Sequence, residues 1–435
     1  YIDRYEVTNS QFQEFVNSGG YQNKKYWKEP FNKDGVVIPW SDAIKNFIDS
    51  TGQPGPSGWI NGQYPQGQDN YPDGGISWYE AAAYAEFIGK QLPTIYHWSL
   101  AGITQDNYAG TILQFSNFDD KGPSPVGQYK SLGDYGTYDM AGNIQEWCWN
   151  EADEGRRYIL GGAWNDQQFK FVAITRFDPF DRLQTNGLRC IKNADGGEIP
   201  SKAYDPVAIK VRDYANEKPI SDDVFLLYKE SLYDYEDHSN LNPVTIASDE
   251  TEEYWSHETI SFDTAYGNER MSAHLYLPKN TQPPYQVVIY FPGSAAVFVH
   301  EYSATAPLQF ILRSGRAVLY PIYKGTYERN TGLVTTRPDM SESYRDHVVW
   351  WAKDLSRSID YLQTRDDIHH DKIGYFGWSW GAVLGAILPA VEERINASVL
   401  IGAGFYFENA RPEADQINFA PHVKTPVLML NGQYD

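Results

Sequence analysis

Lys372-Ile373-Gly374-Tyr375-Phe376-Gly377-Trp378-Ser379-Trp380-Gly381-Ala382-Val383-Leu384 is the stretch from which the second half of this chain is read. Its first part, Lys372–Phe376, is rich in β-branched and aromatic residues and predicts a strand, whereas the apolar run Ala382–Leu388 predicts a helix. Between them stands G-x-S-x-G. Small residues on both flanks let the turn close tightly, and the serine is left exposed at a helix N-terminus. A serine hydroxyl is a weak nucleophile, so this placement has chemical use only if an imidazole takes its proton and an acid orients that imidazole.

Further along the chain, Pro426–Asn431 reads as another strand, closed by Gly432-Gln433-Tyr434-Asp435. For a serine on such an elbow the partners follow in the order acid, then histidine. Asp435 is the expected acid, and a turn aspartate is its alternative reading. No histidine follows it. His422 precedes the acid and sits just before a strand, at the wrong end of a sheet, and His369 and His370 read as solvated loop residues ahead of the nucleophile strand. The catalytic histidine is therefore expected beyond residue 435. The oxyanion that forms during attack needs two N–H donors. Trp380 supplies the first. Phe291-Pro292-Gly293-Ser294-Ala295-Ala296, after the strand Val287–Tyr290, offers the second, with Ser294 assigned, Gly293 its competitor and a plain turn the alternative. Trp378, Trp380 and Tyr323 read either as an aromatic pocket or as packing.

Strand-like runs alternate with helical ones from residue 254 onward: Glu258–Phe262, Ser272–Leu277, Gln286–Phe291, Ala317–Tyr320, then a helix over Tyr344–Arg365 striped by Trp351, Leu355, Ile359 and Leu362. That alternation predicts a mostly parallel, doubly wound sheet. With Tyr266-Gly267-Asn268-Glu269-Arg270 and Leu277-Pro278-Lys279-Asn280, residues 254–435 resemble the α/β-hydrolase superfamily, in its prolyl-oligopeptidase, acetyl-xylan-esterase and dienelactone-hydrolase branches. The resemblance implies hydrolysis of an ester or acyl substrate through an acyl-enzyme, without a cofactor, in a domain that is C-terminally incomplete.

Residues 1–192 differ in texture, being rich in Gly, Trp, Tyr and Asn. Thr8-Asn9-Ser10-Gln11 and Ser77-Trp78-Tyr79-Glu80 are capping boxes, in which a hydroxyl and an N3 side chain satisfy each other's backbone N–H. They predict helices over about Ser10–Asn17 and from Trp78 to the stop at Gly89. Ordered motifs follow: Ile76-Ser77-Trp78, Leu92-Pro93-Thr94, Pro125-Val126-Gly127, Tyr138-Asp139-Met140-Ala141-Gly142-Asn143-Ile144-Gln145-Glu146-Trp147, Gly161-Gly162-Ala163-Trp164 and Gly187-Leu188-Arg189-Cys190. In this order they resemble the formylglycine-generating enzyme family, the sulfatase-modifying factors, which implies an α+β C-type-lectin-like fold. Oxidase members hold copper with two cysteines after the G-G-x-W motif. Here Asn165-Asp166-Gln167-Gln168-Phe169-Lys170-Phe171 stands there, and a soft Cu(I) ion needs thiolates. No copper and no formylglycine-generating activity are expected. The resemblance also implies a structural calcium site from the Asp139 and Glu146 side chains with the Gly142 and Ile144 carbonyls; a hydrogen-bonded turn is the alternative.

Between the two domains, residues 193–253 read as an Asp/Glu/Lys/Pro-rich linker with a helical lead-in over Asp222–Tyr233. Across 435 residues a net charge of −21 repels phosphate backbones, so nucleic acid is excluded as a partner. No apolar run approaches the roughly 20 residues of a membrane span. Cys148 and Cys190 are too few for a disulfide scaffold or a zinc cluster; two buried thiols are expected, with one disulfide as the alternative. The compartment stays open, the cytoplasm being favoured. A start without Met and an end on a motif suggest a piece of a longer chain with further domains. Proteins that pair these two domains resemble bacterial multidomain chains that sometimes begin with a serine/threonine kinase. Against the hydrolase reading stands one of another class, a ligand- or partner-binding scaffold with an inactive hydrolase fold.

Overall fold

A computed structural model describes residues 1–33, 35–102, 112–194, 199–208, 212–236, 238, 240–303 and 308–433. The chain divides into two compact units, Tyr1–Ile209 and Lys210–Asp435. Much of the segment read as linker and lead-in belongs to the second unit: Phe225, Tyr233 and Leu241 enter its core, and residues 244–249 add a strand to its sheet. An apolar residue every few positions gave that segment something to bury, which a composition count of charges and prolines conceals.

In the first unit, α1 (Asn9–Asn17) and α2 (Trp78–Phe87) begin at Thr8 and Ser77, and both capping boxes are formed. A third helix, α3 (Ile95–Gly102), has no amphipathic stripe and escaped the periodicity reading. Its start is fixed locally, where Thr94 Oγ1 accepts the His97 N–H at 3.3 Å. The sheet has the order β3-β2-β1-β4, with β1 Gln145–Glu151, β2 Arg157–Leu160, β3 Thr175–Phe177 and β4 Asn186–Gly187. Around Phe12, Phe15, Trp59, Trp78 and Trp147 the core is largely aromatic, which lets short elements bury enough apolar surface to hold together.

The second unit starts with α4 (Asp222–Tyr228) and centres on an eight-stranded sheet. Its strands are β5 Val244–Asp249, β6 Trp255–Asp263, β7 Arg270–Pro278, β8 Tyr285–Phe291, β9 Ala317–Pro321, β10 Ile368–Trp378, β11 Ala397–Ile401 and β12 Val427–Leu430. They lie in the order β12-β11-β10-β8-β9-β7-β6-β5. From β9 to β12 all neighbours are parallel, whereas β5, β6 and β7 form an antiparallel flank. β8 and β9 exchange places relative to chain order, and β10 lies beside β8 with a serine turn at its end. That is the arrangement of an α/β-hydrolase sheet. The long helix α5 (Glu342–Leu362) begins where Ser341 Oγ accepts the Tyr344 N–H at 3.1 Å, and its Val348, Trp351, Leu355, Ile359 and Leu362 face is buried. Because β8 to β12 run parallel, the loops that follow them emerge at one edge. Ser379 stands at that edge.

Candidate active site

The turn at Ser379 closes because two glycines leave room for it. A Cβ on Gly377 would lie 2.4 Å from the Gly381 carbonyl oxygen, and one on Gly381 would lie 2.3 Å from the Phe291 oxygen. Ser379 itself has φ 50° and ψ −109°, a strained conformation for a side chain with a Cβ. The strain is held by its surroundings. The Ser379 N–H donates to the Ile401 carbonyl at 2.7 Å, the Gly381 N–H to Pro292 at 3.0 Å, and Tyr375 Oη to the Gly381 carbonyl at 2.5 Å. Ser379 is exposed, and α6 (Trp380–Leu384) starts directly behind it.

The loop after β8 crosses this elbow. A Cβ on Gly293 would sit 3.5 Å from Ser379 Cβ and 3.3 Å from Trp378 Cδ1, so the backbone of Gly293 passes beside the hydroxyl-bearing residue. Ser294 opens a short 3-10 turn, Ser294–Val297, and Trp380 is the first residue of α6. Among the described residues no hydrogen bond uses the N–H of Trp380 or of Ser294. First-turn N–H groups are the ones a helix leaves unpaired.

The aromatic residues divide between surface and core. Trp380 is buried between Phe291 and Trp351, with ring centroids at 4.9 and 4.7 Å, and Tyr323 is buried against Phe291 at 4.0 Å. They pack the sheet instead of lining an opening. Trp378 is 43% exposed and stands outside.

Asp435 lies outside the described residues. The strand leading to it does reach the Ser379 edge: the Gly402 N–H donates to the Leu430 carbonyl at 3.0 Å, and Asn431 exchanges two 2.9 Å bonds with Ala403. The histidines are scattered. His422 stacks on Phe225 at 3.6 Å, ahead of β12. His369 and His370, read as loop, are the second and third residues of β10, and His370 Nε2 lies 2.9 Å from the Arg365 carbonyl. They open the strand that Ser379 follows. His347 has both ring nitrogens engaged, by Thr331 Oγ1 at 3.2 Å and the Ser343 carbonyl at 2.7 Å. Sequence reading passed over His300, which is exposed in the loop after β8.

It also passed over the group that braces this edge. Asp354 of α5 is fully buried and accepts from Arg329 at 2.7 Å, Tyr266 Oη at 2.8 Å and the Lys324 N–H at 2.9 Å. Burial pushes its carboxyl up and the guanidinium opposes that. The pairing ties the loop after β9 to α5, where Trp351 Nε1 also donates to the Lys324 carbonyl at 2.8 Å. Partners 25 and 88 positions apart leave no local signal.

In the first unit the Asp139 and Glu146 carboxylates expected to bind calcium accept hydrogen bonds from the protein's own groups. Glu146 accepts from Arg189 Nη2 at 2.7 Å, Arg189 Nε at 3.0 Å and Trp98 Nε1 at 2.8 Å, so a guanidinium already faces its carboxylate. Asp139 accepts from the Gly127 N–H at 2.6 Å and from Ser131 Oγ at 3.0 Å. The hydrogen-bonded alternative is what the geometry resembles. In residues 165–171, the cysteine-free stretch after the G-G-x-W motif, Asp166 accepts from the Ala163 N–H at 2.9 Å and Phe171 packs on Trp98. A carboxylate and a phenyl ring do not fit a soft cation. Cys148 and Cys190 are free and buried.

A family model, the sulfatase-modifying factor enzyme 1-like domain, matches residues 1–194. The chain is 30% identical over 220 residues to the serine/threonine-protein kinase pkn1 of Chlamydia caviae, covering 44% of this chain and 32% of that protein. It is 32% identical over 190 residues to the formylglycine-generating enzyme of Thermomonospora curvata, covering 35% of this chain and 60% of that enzyme. It thus spans about a third of the length of the curated kinase relatives it matches. Among solved structures it is similar to acetyl xylan esterase 1 from Thermoanaerobacterium, with 17% identity, TM-score 0.39, and coverage of 48% of this chain and 78% of that one. A glucuronoyl esterase from Solibacter usitatus gives 17% identity, TM-score 0.32, and coverage of 42% and 57%. Strand order and the serine elbow of the second unit are those of an α/β-hydrolase fold. The chain thus joins residues 1–194, which match the sulfatase-modifying factor enzyme 1-like domain, to a unit whose strand order is that of an α/β-hydrolase fold.

Proposed function

We propose that the second unit hydrolyses carboxylic esters through a covalent acyl-Ser379 intermediate. The observation that carries this is the strained, exposed Ser379 held beside Gly293, with the Trp380 and Ser294 N–H groups uncommitted among the described residues. Ser379 Oγ attacks the ester carbonyl carbon and its proton passes to an imidazole. The two N–H groups take the developing oxyanion, the imidazole returns the proton to the leaving alkoxide as the C–O bond breaks, and water then releases the acid. Asp435 is assigned as the acid that orients the imidazole. That imidazole is assigned to polypeptide outside these 435 residues, because His422 lies in a turn ahead of β12, His369 and His370 stand at the start of β10, and His347 is committed. The route needs no cofactor. The first unit, with no cysteine in residues 165–171, is inferred to generate no formylglycine.

The test compares this chain with one extended through its native carboxyl end, using p-nitrophenyl esters and a fluorophosphonate probe. The extended chain is expected to turn over ester and take up label, both abolished by Ser379→Ala and unaffected by His300→Ala. The 435-residue chain is expected to be slower by about three orders of magnitude or more, as for loss of one triad member. Absence of Ser379-dependent labelling in the extended chain would overturn the proposal and favour a binding or scaffold role.

A further inference from the structure

Charged residues are plentiful in this protein, which carries −21 overall, yet the loops at the carboxyl edge of the second sheet display large apolar side chains. Phe298 follows β8, Val334 and Met340 follow β9, Trp378 precedes the serine, and Phe405 and Phe407 follow β11; all are exposed, Val334 at 79%. Single exposed apolar residues need no explanation, but several from separate loops at one reactive edge do.

These loops are linked to one another. Asn330 Nδ2 donates to the Val297 carbonyl at 3.2 Å, joining the loops after β9 and β8. Arg337 Nη1 binds Glu408 at 2.6 Å, joining the loops after β9 and β11. Gln416 Nε2 donates to the carbonyls of Gly404 at 3.2 Å and Val383 at 2.7 Å, tying the β11 loop back to α6 behind the nucleophile. Tyr214 stacks edge-on against Phe405 at 4.9 Å and donates to the Tyr406 carbonyl. The ring is braced by polar bonds while its apolar members stay outward, and the Arg337 charge is neutralised by Glu408.

We infer that the substrate is an uncharged ester with a bulky apolar group, aryl or long alkyl, that lies over Trp378 and against Phe405 and Phe407. The inference rests on Ser379 as the reactive group and names the substrate class of that site. Apolar contact supplies affinity by removing surface from water, and the protein's negative field disfavours anionic esters.

Binding tests it without requiring turnover. The Ser379→Ala form of this chain is titrated with 2-naphthyl acetate and methyl acetate by saturation-transfer NMR, alone and with Trp378→Ala or with Phe405→Ala/Phe407→Ala added. Thermal melts confirm folding. The naphthyl ester is expected to bind about tenfold or more tighter, and each variant should remove most of that margin. Phe310→Ala, in the apolar groove of 730 Å³ on the sheet face, should leave it intact. Equal binding of the two esters, or a margin indifferent to the edge variants, overturns the inference. Selective binding in a protein whose Ser379 never takes up fluorophosphonate upholds the apolar site and sinks the hydrolase reading alone.

Discussion

At the residue scale, steric exclusion and desolvation decide most of what is seen. Gly377 and Gly381 are fixed by backbone oxygens that a methyl group would strike, and Ser379 is strained because its neighbours leave it no other path. Asp73 shows the cost of burial. It is fully buried, neither carboxylate oxygen has a hydrogen-bond partner among the described residues, and burial, then the nearby Glu80, push its carboxyl well up. A raised folded value means the stability tied to this group is complete below the unfolded value of about 3.9 and drains as pH rises through the folded one. Asp73→Asn is therefore expected to stabilise the first unit by about 1–3 kcal/mol near neutral pH and to change little near pH 3.5. Chemical denaturation at the two pH values checks this. A similar effect at both would show that the carboxylate is not the source of strain.

At the element scale, helices began where their caps were written and strands ran where β-branched residues clustered, because both signals act between near neighbours. Side chains facing each other across β6 and β7 carry no such signal. His257 Nε2 lies 3.0 Å from His274 Nδ1, and burial, followed by the His257 charge, pushes His274 down to about 4. Burial lowers His257 as well, opposed by Asp249 and Glu258. A depressed histidine stabilises the fold above its unfolded value of about 6.5, and that contribution is lost as pH falls toward 4. Between those values the native protein should lose roughly 1–3 kcal/mol more than His274→Gln. Urea midpoints across that range measure it, and parallel slopes would reject the assignment.

At the scale of the whole molecule, two units with separate cores should unfold as two transitions. Calorimetry is expected to resolve them, with Asp73→Asn moving one and His274→Gln the other; a single transition shifted by both variants would contradict independent cores. The family likeness of the first unit, the hydrolase fold of the second and the serine elbow were legible in the chain, because each is written in motifs a few residues long whose turn sterics and caps are local. Tertiary structure alone decided the rest. It placed Phe225, Tyr233 and Leu241 in the core of the second unit, turned Trp380 and Tyr323 inward, set Arg189 against Glu146 where calcium was expected, and bonded the loops after β8, β9 and β11 to one another. Those outcomes depend on partners tens to more than a hundred positions apart, and only closure of the sheet and core determines which of them meet.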